Sequence, residues 1–436
     1  MNRRDLLAAA VLFPGAGWLA ACTSVTSSAS ISGSPRPLLG PFVDNEAWWR
    51  SLRQQFYLTD GIFFNTGTFG ASPRAVVDAT IAHLTAFETV FHQQGVDGAK
   101  LFRALGALVG SPPENLALTR NTTESMNIVA RGIDLGPTDT IVTTTHEHVG
   151  GLSCWQLVAK RYGARLVTFT PPLDPASPQE LVDAWVAASP PGTKVWSISH
   201  VLFSTGLIQP VALLCAEARR RGIITVIDGA HPPGMLQLDI TALGPDFYAS
   251  SPHKWILAPK GSGFLYISPE WIDRLWPLCA SGGWDDLSIK GLRFDHVGTR
   301  NDSITAGFQA ALDFNAGLGQ GNIERRVRGL ATVLDAKLRT IPKVRMVSPS
   351  RPEFRSALVS FTVEGKAATD VARRLWELGP VRVRQVGEYG YNYLRLSMRN
   401  ETTAIQNDNL LALLRSRNEH QRERVFDALT AGAPQP

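Results

Sequence analysis

The chain has 436 residues, 44% of them hydrophobic and 19% charged, with a formal net charge of +5 and a pI near 9.1. That length fits two domains sharing an interface, and the composition is that of a folded enzyme. Lys and Arg are scattered among acids and form no stripe, so nucleic-acid binding is unsupported, and no stretch beyond the N-terminus has membrane-spanning length without charge.

In chain order, the first residues read as an address. Arg3-Arg4 precedes an apolar stretch, Ala8 to Ala21, too short and too rich in small residues for a stable span. It resembles a twin-arginine export signal. Leu19-Ala20-Ala21-Cys22 is similar to a lipobox, in which cleavage leaves Cys22 as a lipid-bearing N-terminus; a plain signal with an incidental Cys is the alternative. Residues 1–22 are thus assigned to a lipoprotein signal, and residues 23–40, rich in Ser and Pro, to a disordered tether. The expected location is the periplasmic side, with the membrane held by the lipid anchor only. Cys154, Cys215 and Cys279 are too widely spaced for a CxxC site or a disulfide framework.

From about Phe63 to Phe308, short β-branched runs alternate with longer amphipathic segments, the pattern of an α/β layer with a mostly parallel sheet. Predicted strands are Thr140–Thr144, Arg165–Phe169, Lys194–Ile198, Ile223–Ile227 and Gly263–Ile267. Predicted helices include Pro178–Ala188 and Val211–Arg221, the latter starting behind Pro210 and stopping at Gly222. Residues 304–340 read as mainly helical and bridge to a second unit. That unit alternates strand 357–363, helix 368–378, strands 381–386 and 391–398, and a helix from Thr402. The division is therefore a large domain over 41–320, with an N-terminal arm at 41–60, and a smaller C-terminal α+β domain over 321–436.

Ligands collect at the carboxyl edge of open α/β sheets, so residues just after each strand matter most. Asp228 caps the apolar strand 223–227, and Lys254 follows the short apolar segment 246–249. A Schiff-base cofactor requires this arrangement. An apolar, cation-rich pocket depresses the amine pKa, and an acid keeps a pyridine nitrogen protonated so that the ring becomes an electron sink. Taken singly, a strand-end Asp more often caps a loop and a Lys is more often solvated. Asn121-Thr122-Thr123-Glu124-Ser125 lies between a short strand and an amphipathic helix, where Asn121 and Glu124 form a capping-box variant. Its N–H groups and dipole end would face an anion, with a simple helix cap as the alternative. His146 and His148, at i and i+2 with no third cluster, make a weak metal site, so no metal is expected.

Asp228-Gly229-Ala230-His231-Pro232-Pro233-Gly234, followed by Ser251-Pro252-His253-Lys254, resembles the fold-type I, class V aminotransferase group. Cysteine desulfurases, kynureninase and isopenicillin N epimerase belong to that group, and the resemblance runs from about Phe63 to the C-terminal helix. It implies pyridoxal 5′-phosphate (PLP) and a large domain with a seven-stranded, mostly parallel sheet plus a smaller C-terminal domain. It also implies Lys254 as the Schiff-base lysine, Asp228 at the pyridine nitrogen and His231 near the phenolic oxygen. Ser251, His253, Thr122 and Thr123 would reach the phosphate, and His148 would stack on the ring. Thr299, in Gly298-Thr299-Arg300, would reach the phosphate of a neighbouring subunit, implying a homodimer. Asn65 and Gly67 would line the substrate pocket, and Arg395 would grip the carboxylate of an amino acid substrate through its planar fork. Strand alternation puts Arg395 and Arg399 on one side, with surface salt bridging as the alternative for these and for Arg382 and Arg384.

Two departures matter. Phe203 stands where desulfurases usually place Asn, and residues 386–393 contain no Cys, which disfavours sulfur transfer through a persulfide. The chain therefore looks closer to the isopenicillin N epimerase-like branch, with epimerase or C–S/β-lyase chemistry at the α-carbon. Lys254, once displaced by substrate, would be the base, and His148 could serve the opposite face if not committed to stacking. Aminotransfer and a non-catalytic binding protein are the alternatives. The twin-arginine route, which carries proteins already folded, suits an enzyme that loads its cofactor in the cytoplasm.

Overall fold

The computed structural model describes residues 42–58, 61–89, 96–399, 402 and 404–415. The export signal, Cys22 and the tether lie outside the described residues. The strands are β1 (Ile62–Phe63), β2 (Leu116–Thr119), β3 (Thr140–Thr144), β4 (Arg165–Phe169), β5 (Thr193–Ser199), β6 (Ile224–Asp228), β7 (Phe247–Ser250), β8 (Gly263–Ile267), β9 (Val344–Met346), β10 (Leu358–Val363), β11 (Val381–Arg382), β12 (Arg384–Val386) and β13 (Tyr393–Ser397). Among the described residues these form three sheets.

The largest sheet has seven strands in the order β2-β8-β7-β6-β5-β3-β4. It is parallel from β4 through β7 and antiparallel only at β8 and β2. Its central strands bury both faces, which is why β6 reads as the continuous β-branched run Ile-Thr-Val-Ile. From β3 the order runs to β4 on one side and to β5, β6 and β7 on the other. The connections therefore leave opposite flanks of β3, and a crevice opens at the strand carboxyl ends. The surrounding helices start and stop as their caps dictate: Ser177 accepts the Glu180 N–H ahead of Pro178–Ala187, and Gly163 at φ 78° ends Val149–Tyr162.

The bridge expected over 304–340 is two helices, Asp302–Leu318 and Gln320–Leu338, broken at Gly319. Beyond it a four-stranded antiparallel sheet has the order β12-β13-β10-β9. The single strand expected over 381–386 is two. Val381 and Arg382 pair in parallel with Ile62 and Phe63, whereas Arg384 to Val386 pair with β13.

The N-terminal arm packs into a core drawn from both parts of the chain: Trp49, Leu52, Phe56, Ile62 and Phe64 lie with Val201, Met235, Trp255 and Leu257 as well as with Ile323, Val327, Leu358, Phe361 and Leu394. The cause is the spacing of Trp49, Leu52 and Phe56, an apolar stripe continued by β1. Each large side chain so buried contributes about 1.5–3 kcal/mol.

Candidate active site

Four neighbouring strand ends deliver the site. His148 follows β3, Phe203 follows β5, Asp228 ends β6 and Lys254 follows β7, and all four line one cavity of 320 Å³. His231, Ser251, His253, Thr122, Thr123, Gly67 and Arg395 line the same cavity.

The Lys254 loop is clamped from three directions. The Gly70 N–H donates to the His253 carbonyl at 2.8 Å, Asn315 Nδ2 donates to the Ile256 carbonyl at 2.7 Å, and Arg399 donates to the Trp255 carbonyl. A Cβ at Gly70 would stand 2.2 Å from the Lys254 carbonyl oxygen, so only glycine lets the 65–70 turn approach this closely. Arg399 is fully buried, which removes the surface-salt-bridge alternative for that residue. Desolvation pushes the Lys254 amine down to about 8; Asp228 opposes the shift, and Arg395 and Arg384 add to it. The shift makes the free amine, the form that condenses with an aldehyde, more available near neutral pH.

Asp228 is buried, and its Oδ1 accepts the Ala230 N–H at 3.0 Å. A Cβ at Gly151 would lie 2.8 Å from Oδ2, so the glycine leaves this oxygen open beside the cavity. Burial raises the carboxyl pKa, and Lys254 opposes the rise. Behind it sits Glu147, whose oxygens accept from Thr144 Oγ1 at 2.7 Å and Ser199 Oγ at 2.5 Å. Burial, with Asp228 adding, holds Glu147 up at about 7.

Burial favours the neutral form of the three cavity histidines, and their partners assign their tautomers. His148 Nδ1 accepts the Gly150 N–H at 3.1 Å, which places the proton on Nε2; burial and then Lys254 push its pKa down to about 4. The Phe203 ring meets it edge-on at 5.3 Å. His231 Nδ1 accepts the Trp255 indole N–H at 3.2 Å, so its Nε2 is also a donor, and burial holds it well below the usual range. His253 Nδ1 donates to the Ser262 carbonyl at 2.9 Å, with burial holding it down to about 4.

At one end of the cavity the helix Thr122–Gly132 begins. Asn121 Oδ1 accepts the Glu124 N–H at 2.9 Å, as expected of the cap, but Glu124 reaches back to the Arg120 N–H at 2.6 Å, one residue before the capping-box position. Ser251 Oγ accepts the Thr122 N–H at 2.9 Å and shares a hydrogen bond with Thr122 Oγ1 at 2.8 Å. The result is a rim of hydroxyls and backbone N–H at a helix N-terminus, suited to an anion.

Arg395 is buried on β13. Its Nη1 donates to the Phe203 carbonyl at 2.9 Å and Nη2 to Thr68 Oγ1 at 3.3 Å, while Nε has no partner. Burial pushes it down to about 9, and Arg384 adds to the shift.

Two expected site residues do not reach the cavity. Asn65 is buried behind it and accepts Thr68 Oγ1 at 2.8 Å, so it shapes the turn whose Gly67 and Thr68 do line the cavity. Thr299 is exposed and borders a separate pocket of 720 Å³ with Arg120, Asn121 and Cys279. Conversely, Arg384 lines the cavity, although sequence offered it only as a neighbour of Arg395. The signal that would have found it is the pairing of β12 with β13, which sets Arg384 opposite Arg395.

A depressed amine, a buried carboxylate, an anion rim and an arginine with an unpartnered Nε fit PLP with an amino acid. The architecture is that of the fold-type I PLP enzymes. Within that class the chain belongs to the Aminotransferase class-V family, whose model matches residues 90–406. It is 35% identical over 384 residues to isopenicillin N epimerase of Streptomyces clavuligerus, covering 83% of this chain and 96% of that protein. It is 30% identical over 352 residues to a probable cysteine desulfurase of Xylella fastidiosa, covering 75% and 83%. Among solved structures, the cystine C–S lyase C-DES with cysteine persulfide superposes with a TM-score of 0.74 at 25% identity, covering 82% of this chain and 98% of that one. A C-DES variant holding glycine covalently linked to the PLP cofactor gives the same TM-score at 25% identity, covering 84% and 99%. Family and neighbours together imply PLP as the cofactor.

Proposed function

We propose that the chain binds PLP through Lys254 and removes the α-proton of an amino acid, in an epimerase-like reaction. The observation that carries this is the confinement of the Lys254 amine and the incompletely bonded Arg395 guanidinium to one 320 Å³ cavity. When bound, PLP supplies an electron sink for the α-carbon. Asp228 holds a proton at the ring nitrogen, and His231 donates from Nε2 toward the phenolic oxygen. Thr122, Thr123, Ser251 and His253 hold the phosphate, and His148 covers the ring. Arg395 takes the substrate carboxylate through its guanidinium, which fixes the α-C–H bond in front of Lys254. An amine near pKa 8 is matched to proton transfer close to neutral pH.

A C–S/β-lyase is the second reading, and the tied Nδ1 of His148 favours it. A neutral imidazole with that nitrogen engaged is a poor proton donor to the opposite face, and elimination needs none. Among the described residues no cysteine lines the cavity, which argues against persulfide transfer: Cys154 and Cys215 are buried, with thiols pushed up to about 12 by desolvation. In deuterated water, α-deuterium without keto acid marks the epimerase, and pyruvate with ammonia marks the lyase. Exchange with no amino acid defeats both.

We also propose an exported lipoprotein, anchored at Cys22, that works as a homodimer in which Thr299 completes the neighbour's phosphate site. The motifs at Arg3-Arg4 and Leu19–Cys22 support the first part, and the position of Thr299 outside its own chain's cavity supports the second. Cys22→Ala should shift the protein from the membrane to the soluble fraction, and detergent-released wild type should run as a dimer of the processed chain. An unchanged membrane fraction counts against the anchor, and a monomer counts against the shared site.

A further inference from the structure

Behind the cavity wall stands an acid that the proposed reaction does not use. Glu147 sits in the loop between β3 and the helix Val149–Tyr162, one residue before His148, and is 2% exposed. Its two oxygens accept from the hydroxyls of Thr144, at the end of β3, and Ser199, at the end of β5. Neither donor carries a charge, so these bonds tie two strand ends together without an ion pair. An amide would make the same tie. Burying an ionisable group for it carries a desolvation cost that two neutral hydroxyls offset only in part, which directs attention from bracing to function.

The surroundings of Glu147 define what it acts on. Ser199 stands directly opposite Asp228 in the pairing of β5 with β6, and both line the cavity. Glu147 is therefore one hydroxyl removed from the wall that carries Asp228, near enough for the Asp228 charge to add to the burial that raises its pKa. Two buried carboxyls so placed are coupled, because the second negative charge forms against the first. The other groups around them do not titrate near neutral pH. His146, His148 and His200 are each held down to about 4, chiefly by burial. Burial pushes up the Cys154 thiol, on the helix Val149–Tyr162, and the Tyr389 phenol, in the turn after β12, where Glu147 adds to the shift. Arg384 and Glu388, beside that turn, are paired with each other. In the PLP-loaded protein the Lys254 amine is condensed. Glu147 is then the group beside Asp228 that changes charge close to pH 7.

We propose that Glu147 is a positioning residue for the reaction, acting through Asp228: on losing its own proton it strengthens the hold of Asp228 on the proton of the cofactor's ring nitrogen. The inference rests on the reading of Asp228 as the partner of that nitrogen, and its test separates the two. Protein loaded with PLP that carries an NMR-active nitrogen isotope in the ring would be titrated, while infrared difference spectra follow the C=O stretch of protonated carboxyls. In wild type the ring-nitrogen resonance should move in a step centred near 7, as one protonated-carboxyl band disappears. Glu147→Gln should lose both the step and the band, its resonance staying where wild type has it on the acid side. Ser199→Ala removes a hydrogen bond that favours the ionised form of Glu147, so it should carry the step upward by about one unit. A wild-type titration with no step overturns the proposal, as does a step that persists in Glu147→Gln. An offset of the same size at every pH in that variant also overturns it, because a carboxyl that only braced the loop would leave such a trace. If Glu147→Gln fails to load PLP, wild type against Ser199→Ala decides, and an unmoved step counts against Glu147. A ring-nitrogen resonance unchanged by Asp228→Asn would instead defeat the reading of Asp228 on which the inference rests.

Discussion

Lys254→Ala should leave no pyridoxyl mass after borohydride reduction and should lower α-proton exchange by about 10³-fold or more, because the proposed mechanism uses the same nitrogen to anchor the cofactor and to move the proton. Peptide mapping of the wild type should find the mark on Lys254. The mark should form faster as pH rises and level off above about 8: the lowered pKa leaves the amine protonated below that value and free above it. A mark on another lysine, or none in protein purified with added PLP, ends the reading. Cofactor capture on Lys254 without any exchange would instead describe a binding protein.

Asp228→Asn separates anchoring from chemistry. The amide keeps an oxygen for the Ala230 N–H and nearly the same volume, but it removes the negative charge. Reduction should still mark Lys254, while exchange should fall by about 10²–10³-fold, the range for losing one well-placed electrostatic partner. The variant should also move the pH profile of marking. Asp228 holds the Lys254 pKa up against desolvation, so its neutralisation should let the amine titrate below about 8 and shift the rise in marking to lower pH. Undiminished exchange would remove Asp228 from the ring nitrogen.

Much of this was legible because it is local. Strands 140–144, 165–169 and 263–267 fall where the runs of apolar and β-branched residues begin and end. Asp228 and Lys254 stood out as strand-end residues, and the resemblance carried by residues 228–234 and 251–254 supplied the roles proposed for them. Most of what the sequence left unread depends on a partner distant in sequence; Asn65, tied within its own turn, is the exception. Val381 to Val386 alternates like one strand and divides only because β1 captures its first two residues. Arg399 looks like any strand-end arginine until the Trp255 carbonyl takes its guanidinium. Asn65 has the composition of a pocket residue, yet its side chain is spent on Thr68 within its own turn. Arg384 gains meaning only from its register against Arg395.

The core shared by the N-terminal arm and the C-terminal sheet has a consequence for biosynthesis. The stripe of Trp49, Leu52 and Phe56 emerges from the ribosome early, Val201, Met235 and Trp255 follow, and Leu358, Phe361 and Leu394 arrive hundreds of residues after the stripe. Until they do, the nascent chain holds this core with one side missing, the kind of apolar surface chaperones recognise. A ribosome-bound fragment ending before β10 should therefore leave part of the helix Glu46–Leu52 more open to solvent than the full chain does.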